Sequence, residues 1–251
     1  MTAKIRAIHR YPVKGLTPEP LPRTVLSVRQ TVPFDRMYAI ENGPSGFDPA
    51  APGYLPKQRF LMLMRNARLA ELRTMFDETT HTLTIRHENR EAARGDLRKA
   101  EGRAAVEKFF AEFCADELRG PAKVLHAEGH SFSDVSRKVI SIINLASVAA
   151  LEAAAGAPVH PLRFRGNLHV EGWPAWHEFG LLNSEIAIGP AARLKVVKRI
   201  VRCAATEVDP DTGIRDLPVP RALMDNFGHV DCGVYAEVIE GGAIAVGDMV
   251  N

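Results

Sequence analysis

The chain has 251 residues, 46% hydrophobic and 25% charged, with a formal net charge of +2. That composition belongs to a globular protein able to bury one large core or two smaller ones, and the small net charge gives no case for a nucleic-acid or membrane surface. Aromatic residues make up 7% and are not interleaved with basic runs, which excludes a stacking platform for single strands.

The opening MTAKIRAIHRYPVKG has no apolar core of signal-peptide length, and no stretch approaches about 18 consecutive apolar residues, so a cytoplasmic protein is expected. KIRAIHRYPV and TVLSVRQTV are β-rich runs broken by KGLTPEPLP, whose prolines cannot donate to a ladder. RMYAIENG predicts a further strand that enters an exposed loop from Gly43 to Gly53, rich in Gly, Pro and Asp. HTLTIRH alternates Leu83 and Ile85 against Thr82, Thr84 and Arg86, the period of a half-buried strand. EGRAAVEKFFAEFCADELRGP changes period. Val106, Phe109, Phe110, Phe113, Cys114 and Leu118 recur at helical spacing, and Gly120-Pro121 is the expected stop.

A second unit is expected from Pro121, dividing the chain into residues 1–120 and 121–251. KVISIIN predicts a fully apolar strand and NLASVAALEAAAG a helix capped by Asn144 and stopped at Gly156. LRFRGNLHV, SEIAIG and RLKVVKRIV read as strands, and VPRALMDNFG as a short helix with Pro220 in its first turn. GVYAEVIEGGAIAVGDMV reads as a hairpin about Gly241-Gly242. The predicted fold is mixed α/β but strand-dominated, with closed or barrel-like sheets favoured over a doubly wound parallel sheet.

The three cysteines form no CxxC pair and are odd in number, so neither a disulfide framework nor a zinc ribbon fits. Cys114 sits on the apolar helix stripe and reads as core. Cys232 follows Asp231, a neighbour that raises a thiol's pKa, and reads as structural. Cys203 follows Arg199 and Arg202, which favour a thiolate, at a strand-to-loop junction. Spacing alone leaves it open between a small buried residue and a ligand.

Basic residues give a second pattern. Lys14 ends a strand against Gly15, Arg36 lies in FDRMY, and Arg163, Arg165 and Asn167 alternate on one face of the expected strand RFRGN. With Ser133 and Ser136 they form the donor mixture that suits a phosphate. His169, His177 and His229 are scattered without zinc-hydrolase spacing, and no dinucleotide fingerprint, P-loop or nucleophile elbow occurs.

Taken in order, RYPVKGL, FDRMYAI, SDVSRKVISIINLASVAAL, LRFRGNLHVEG, RCAATEVDPDTG and GAIAVGDMV resemble the MOSC (molybdenum cofactor sulfurase C-terminal) family in the form preceded by an N-terminal MOSC β-barrel domain. The proteins similar to the mitochondrial amidoxime-reducing component and its bacterial relatives are the nearest functional group. The resemblance implies an N-terminal β-barrel-like module followed by a MOSC β-barrel domain with flanking helices. It implies a molybdenum cofactor, Mo-molybdopterin, with Cys203 as the protein's metal ligand. Lys14, Arg36, Ser136 and Arg165 are implied to grip the phosphate tail, while Gly15, Asn167, Arg202 and Tyr235 fall at cofactor-lining positions. Gly15 stands where many relatives carry Ser or Cys. Asp209 is implied either to relay protons or to cap its turn.

The implied activity is reduction of small N-hydroxylated substrates with electrons from a separate flavin or iron–sulfur reductase, because no cysteine follows Cys232 to build an electron relay. Two alternatives stand beside it. One is a persulfide carrier on Cys203, in which pyridoxal phosphate enters only indirectly through a sulfur donor. The other is a non-catalytic cofactor carrier.

Overall fold

The computed structural model describes residues 2–251. In chain order the elements begin with β1 (Ala3–Arg10), β2 (Glu19–Leu21), β3 (Arg23–Leu26) and β4 (Ala39–Asn42). Next come β5 (Arg73–Asp77), β6 (Thr82–His87), β7 (Arg90–Asp96), α1 (Ala100–Phe113), β8 (Ala122–Leu125) and β9 (Ile140–Asn144). Helix α2 (Leu145–Ala155) leads to β10 (Leu168–Glu171), α3 (His177–Gly180), β11 (Glu185–Ile188) and β12 (Ala192–Val201). The chain finishes with α4 (Val219–Phe227), β13 (Asp231–Glu240), β14 (Gly242–Ala245) and β15 (Met249–Val250).

Seven strands run β10-β9-β13-β12-β11-β15-β1 and close into a barrel through antiparallel pairing of β1 with β10, with β2 added outside β1. Only β9 and β10 pair in parallel. Period-2 patterning explains the closure. Ala192, Leu194 and Val196 on β12 and Val234, Ala236 and Val238 on β13 point inward with Ile5, Ile8, Leu168 and Val170. Strand β9 is buried on both faces, as its unbroken apolar run predicts. Its Ile142 joins the barrel core, while Ile143 packs outward on Val148 and Leu151 of α2 and Leu223 of α4.

A second apolar cluster joins Tyr38 and Leu69 to Leu83 and Ile85 of β6 and to Val106, Phe110 and Cys114 of the α1 stripe. It sits among the pair β4–β8 and the antiparallel sheet β5-β6-β7. Helix α1 ends at Phe113, earlier than Gly120 predicts, and a 3₁₀ turn follows at Ala115–Glu117. The Asn144 cap is present, its side chain accepting from the Ala146 amide, and Gly156 ends α2 in the left-handed region.

Three expectations are corrected. LRFRGNLHV is not one strand: Pro161–Phe164 form a 3₁₀ turn and only Leu168–Glu171 pair. Pro161 starts that turn and the His160 side chain accepts from the Leu162 amide, so Arg163 and Arg165 do not share a strand face. In TVLSVRQTV only its first three residues, Thr24 to Leu26, lie in a strand, which starts at Arg23. Strands β13 and β14 do not form the expected hairpin, because β14 pairs with β3. A Cβ on Gly241 would lie 2.7 Å from the Leu26 carbonyl oxygen and one on Gly242 2.9 Å from the Ala191 side chain, so the two glycines serve close approach, not a turn between partners.

Pairing also crosses the division expected after residue 120. Strand β1 belongs to the closed barrel, β3 pairs with β14, and β8 pairs back to β4. Among the described residues no helix is long and apolar enough to cross a membrane.

Candidate functional site

Where β1 ends, the chain turns through Tyr11 toward Lys14 and Gly15. Gly15 has φ +85°, and a Cβ there would sit 3.1 Å from the Leu61 carbonyl oxygen, so backbone alone fits. The Lys14 side chain is 4% exposed; its Nζ donates to the Phe132 carbonyl at 2.9 Å and pairs with Asp134.

Two arginines are held by one ring. Tyr11 is fully buried, with the Arg36 guanidinium 4.7 Å and the Arg165 guanidinium 4.3 Å from its centroid. Both arginines adopt positive φ, +53° and +51°. Their backbones are fixed there: the Arg36 amide donates to the Tyr11 carbonyl at 2.7 Å and the Arg165 amide to the Leu162 carbonyl at 3.1 Å. The Arg36 Nη2 donates to the Arg165 carbonyl at 3.1 Å, and Asp35 pairs with Arg36 while accepting from the Tyr11 amide. The Arg165 Nη1 donates to the Leu16 carbonyl at 2.9 Å; its buried Nη2 has no hydrogen-bond partner.

Just past the end of β12 come Arg202 and Cys203. Arg202 donates from Nε to the Cys232 carbonyl and from Nη1 to the Phe164 carbonyl, at 2.8 and 2.9 Å. The half-buried Cys203 Sγ lies 3.3 Å from Lys57 Nζ, which is also 4.0 Å from Asp134 Oδ2.

These groups line a cleft of about 250 Å³. Eight basic residues line it and one acidic residue, Asp134, among the described residues. Burial draws the Arg165 pKa down to about 10, outweighing the Tyr11 and carboxylate fields, and burial likewise lowers that of Arg202. Burial opposes ionisation of Asp134 too, yet Lys14, Lys57 and Arg36 together hold its carboxyl well below the usual range. The cleft is thus a desolvated positive field with an orphaned donor, the arrangement that an anion relieves.

Of the residues expected at a site, the cleft gathers Lys14, Gly15, Arg36, Arg165, Asn167, Arg202, Cys203 and Tyr235. Asn167 acts on the frame, its Oδ1 accepting from the Ser141 amide and hydroxyl and its Nδ2 donating to the His9 carbonyl. Two expected residues lie elsewhere. Ser136 is exposed and borders a second, smaller cavity. Asp209 is off the cleft: its Oδ1 accepts from the Asp211 and Thr212 amides, capping the turn, while Oδ2 pairs with Arg163. Sequence reading passed over Lys57, Asp134 and Tyr11. Lys57 is 146 positions from Cys203, and no local pattern marks such a pair.

Residues 127–251 match the MOSC domain and residues 2–120 the MOSC N-terminal beta barrel domain. The chain belongs to the MOSC-domain family. That family is associated with molybdenum-cofactor-binding proteins. Among solved structures the chain is similar to the YuaD protein from Bacillus subtilis, at 14% identity over 100% of this chain and 94% of that one, with a TM-score of 0.48. It is also similar to YiiM from Geobacillus stearothermophilus, at 20% identity over 44% of this chain and 52% of the other, with a TM-score of 0.35. No curated protein matches it.

The cleft can be tested against the cofactor that the MOSC family implies. Among the described residues no three His, Cys, Asp or Glu side chains converge as a metal site, and Cys203 is the one thiol on the cleft. A metal held here would take one soft ligand from the protein and bring the others on an organic carrier. The excess of cations and the unpartnered Arg165 Nη2 suit a carrier with an anionic tail. The residues fit the group.

Proposed function

We propose that this MOSC-domain protein binds the molybdenum cofactor in the cleft and reduces small N-hydroxylated compounds, using electrons from a separate flavin or iron–sulfur reductase. The observation that carries this reading is one thiol set in a cleft lined by eight basic residues and one acidic one. When bound, the cofactor supplies the two-electron chemistry by which an N–OH compound, two electrons and two protons become the N–H compound and water. Cys203 would serve as the metal's protein ligand, with the Lys57 ammonium 3.3 Å from its sulfur. Lys14, Arg36 and Arg165 would hold the phosphate tail, the Nη2 of Arg165 being a donor that has no hydrogen-bond partner within the protein. Arg202, bonded to two carbonyls, fixes the backbone beneath the cofactor, and Tyr235 borders the same space.

Protein made in a host that produces the cofactor is expected to carry close to one molybdenum atom per chain. Arg165→Glu should strip most of it, since a carboxylate repels the phosphate. Elemental analysis of the folded variant checks this, and unchanged metal content would overturn the assignment. Turnover should appear with a chemical or protein electron donor and not with NADH alone, and should vanish in Cys203→Ala. The Lys57–Cys203 pair equally favours a persulfide carrier. That reading requires cyanide-labile sulfur on Cys203 after exposure to a pyridoxal-phosphate-dependent cysteine desulfurase, and no reductase activity with any donor.

A further inference from the structure

Six of the eight basic residues lining the cleft have partners on this chain. Lys14 and Lys57 meet Asp134, Arg36 pairs with Asp35, and Arg163 pairs with Asp209 and Asp216. Arg165 and Arg202 donate to main-chain carbonyls. Lys198 and Arg199 are the exceptions. Among the described residues neither forms an ion pair, and the buried Nε of Arg199 has no hydrogen-bond partner.

Strand β12 is deformed around this pair. On a regular strand, neighbours point to opposite faces, yet Lys198 and Arg199 both line the cleft. The register of β12 with β13 shifts between Val196 and Lys198 and again between Arg199 and Val201, and such irregularities re-aim side chains. What holds Arg199 is an aromatic face. Its guanidinium carbon lies 4.3 Å from the centroid of Phe179, a ring only 8% exposed that stacks on Trp176. Stacking occupies the face of the guanidinium and leaves the donors along its edge for an acceptor. Lys198, exposed beside it, adds a point charge.

The acceptor has to come from outside the chain, because the one carboxylate lining the cleft, Asp134, is engaged by Lys14 and Lys57. A phosphate is the poorer fit. Its further oxygens look for backbone amides, and here the backbone is paired to β13 through Lys198↔Tyr235 and Arg199↔Val234. The two oxygens of a carboxylate match one fork and one ammonium. A cleft of about 250 Å³ limits the molecule that carries it to a small one.

We propose that Lys198 and Arg199 form a second anion subsite of the cleft, and that it takes the carboxylate of a small N-hydroxylated acid whose N–OH end lies toward Cys203. The N–OH end rests on the reductase reading; the carboxylate subsite rests on the deformed strand and its two unpaired cations. Titration calorimetry on the full chain, metal-free and molybdenum-loaded, tests it with 4-carboxybutanamidoxime and its methyl ester, which differ by one negative charge. The acid should bind roughly tenfold or more tightly than the ester in both forms, the margin of one charge-assisted contact. Arg199→Gln and Lys198→Gln should each remove most of that margin, leaving the ester's affinity and the molybdenum content unchanged. Equal affinity of wild type for the two compounds, or a margin that survives both substitutions, overturns the subsite. A margin confined to metal-free protein overturns it too, because the acid then sits on the Lys14, Arg36 and Arg165 side that the cofactor fills. The expected margin, with neither compound reduced by molybdenum-loaded protein, supports the subsite and sinks the reductase reading. Reduction of acid and ester with equal KM sinks the subsite and leaves the reductase reading standing.

Discussion

The three cysteines differ by surroundings, not by chemistry. Burial pushes the Cys114 thiol up to about 12, and burial does the same to Cys232 despite the nearby Arg202 cation. Both stay protonated and inert. Cys203 alone lies on the cleft, next to an ammonium. Replacing Cys114 with Ala should remove roughly 1–2 kcal/mol of stability, as other small buried truncations do, and leave molybdenum content intact. Denaturant unfolding and metal analysis on one sample check both halves. Metal loss in a folded Cys114→Ala protein would contradict the separation of roles. Cys114 was legible because a helix stripe repeats every three or four residues. Lys57 was not: its partner lies on another module, and only the fold brings the two together. Asp209 shows the intermediate case, in which VDPDTG announces a turn but not whether its carboxylate faces ligand or backbone.

At the level of the elements, the seam that closes the barrel carries an acid-sensitive pair. His9 on β1 and His169 on β10 face each other with centroids 4.8 Å apart. Burial, reinforced by His160, lowers the pKa of His9 from 6.5 to about 4, and burial with His9 and His160 lowers that of His169 to about 3. Both rings are neutral in the folded protein at pH 6, whereas an unfolded chain begins to protonate them near 6.5. Unfolding therefore takes up protons, and stability should fall as pH drops from about 6.5 toward 4, with no loss from this source above that window. Urea midpoints between pH 4 and 8 should show a flatter slope for His169→Phe than for wild type, and identical slopes would remove the pair from the account. The seam itself was hidden in the sequence. β1 and β10 were each readable as β-rich, but nothing local says that residues 3–10 pair with residues 168–171. The same limit misassigned Gly241-Gly242: glycines that permit close packing and glycines that turn a hairpin look alike until the partner strand is known. RFRGN failed for a different reason, since Pro161 and the His160 cap outweigh the alternation that follows them.

For the molecule as a whole, the two family matches meet between residues 120 and 127, while the strands exchange across that point. A fragment of residues 121–251 lacks β1, which pairs with both β10 and β15, and lacks β3, the partner of β14. Such a fragment should not reach a closed fold; poorly dispersed NMR amide signals are expected, and a native-like spectrum would show that the barrel closes without its first strand. The cleft would be lost with it, because Lys14 and Arg36 come from one half and Arg165 and Cys203 from the other.

The register Ala3↔Val250 carries a consequence for the newborn chain. At roughly 5–20 residues per second on the ribosome, the first strand emerges about 10–50 s before its last partner is made. Until then the Ala3–Lys4 end of β1 lacks its β15 partner and stays an open edge, the kind of surface that chaperones shield and aggregates recruit. The turn that holds Lys14 hangs from that same strand, and the cleft's lining reaches as far along the chain as Tyr235, so the cleft is assembled late in synthesis. Loading of any ligand there is an event that follows closure of the barrel, and cells that make the protein faster than they can shelter its first strand should accumulate it as insoluble, unloaded material.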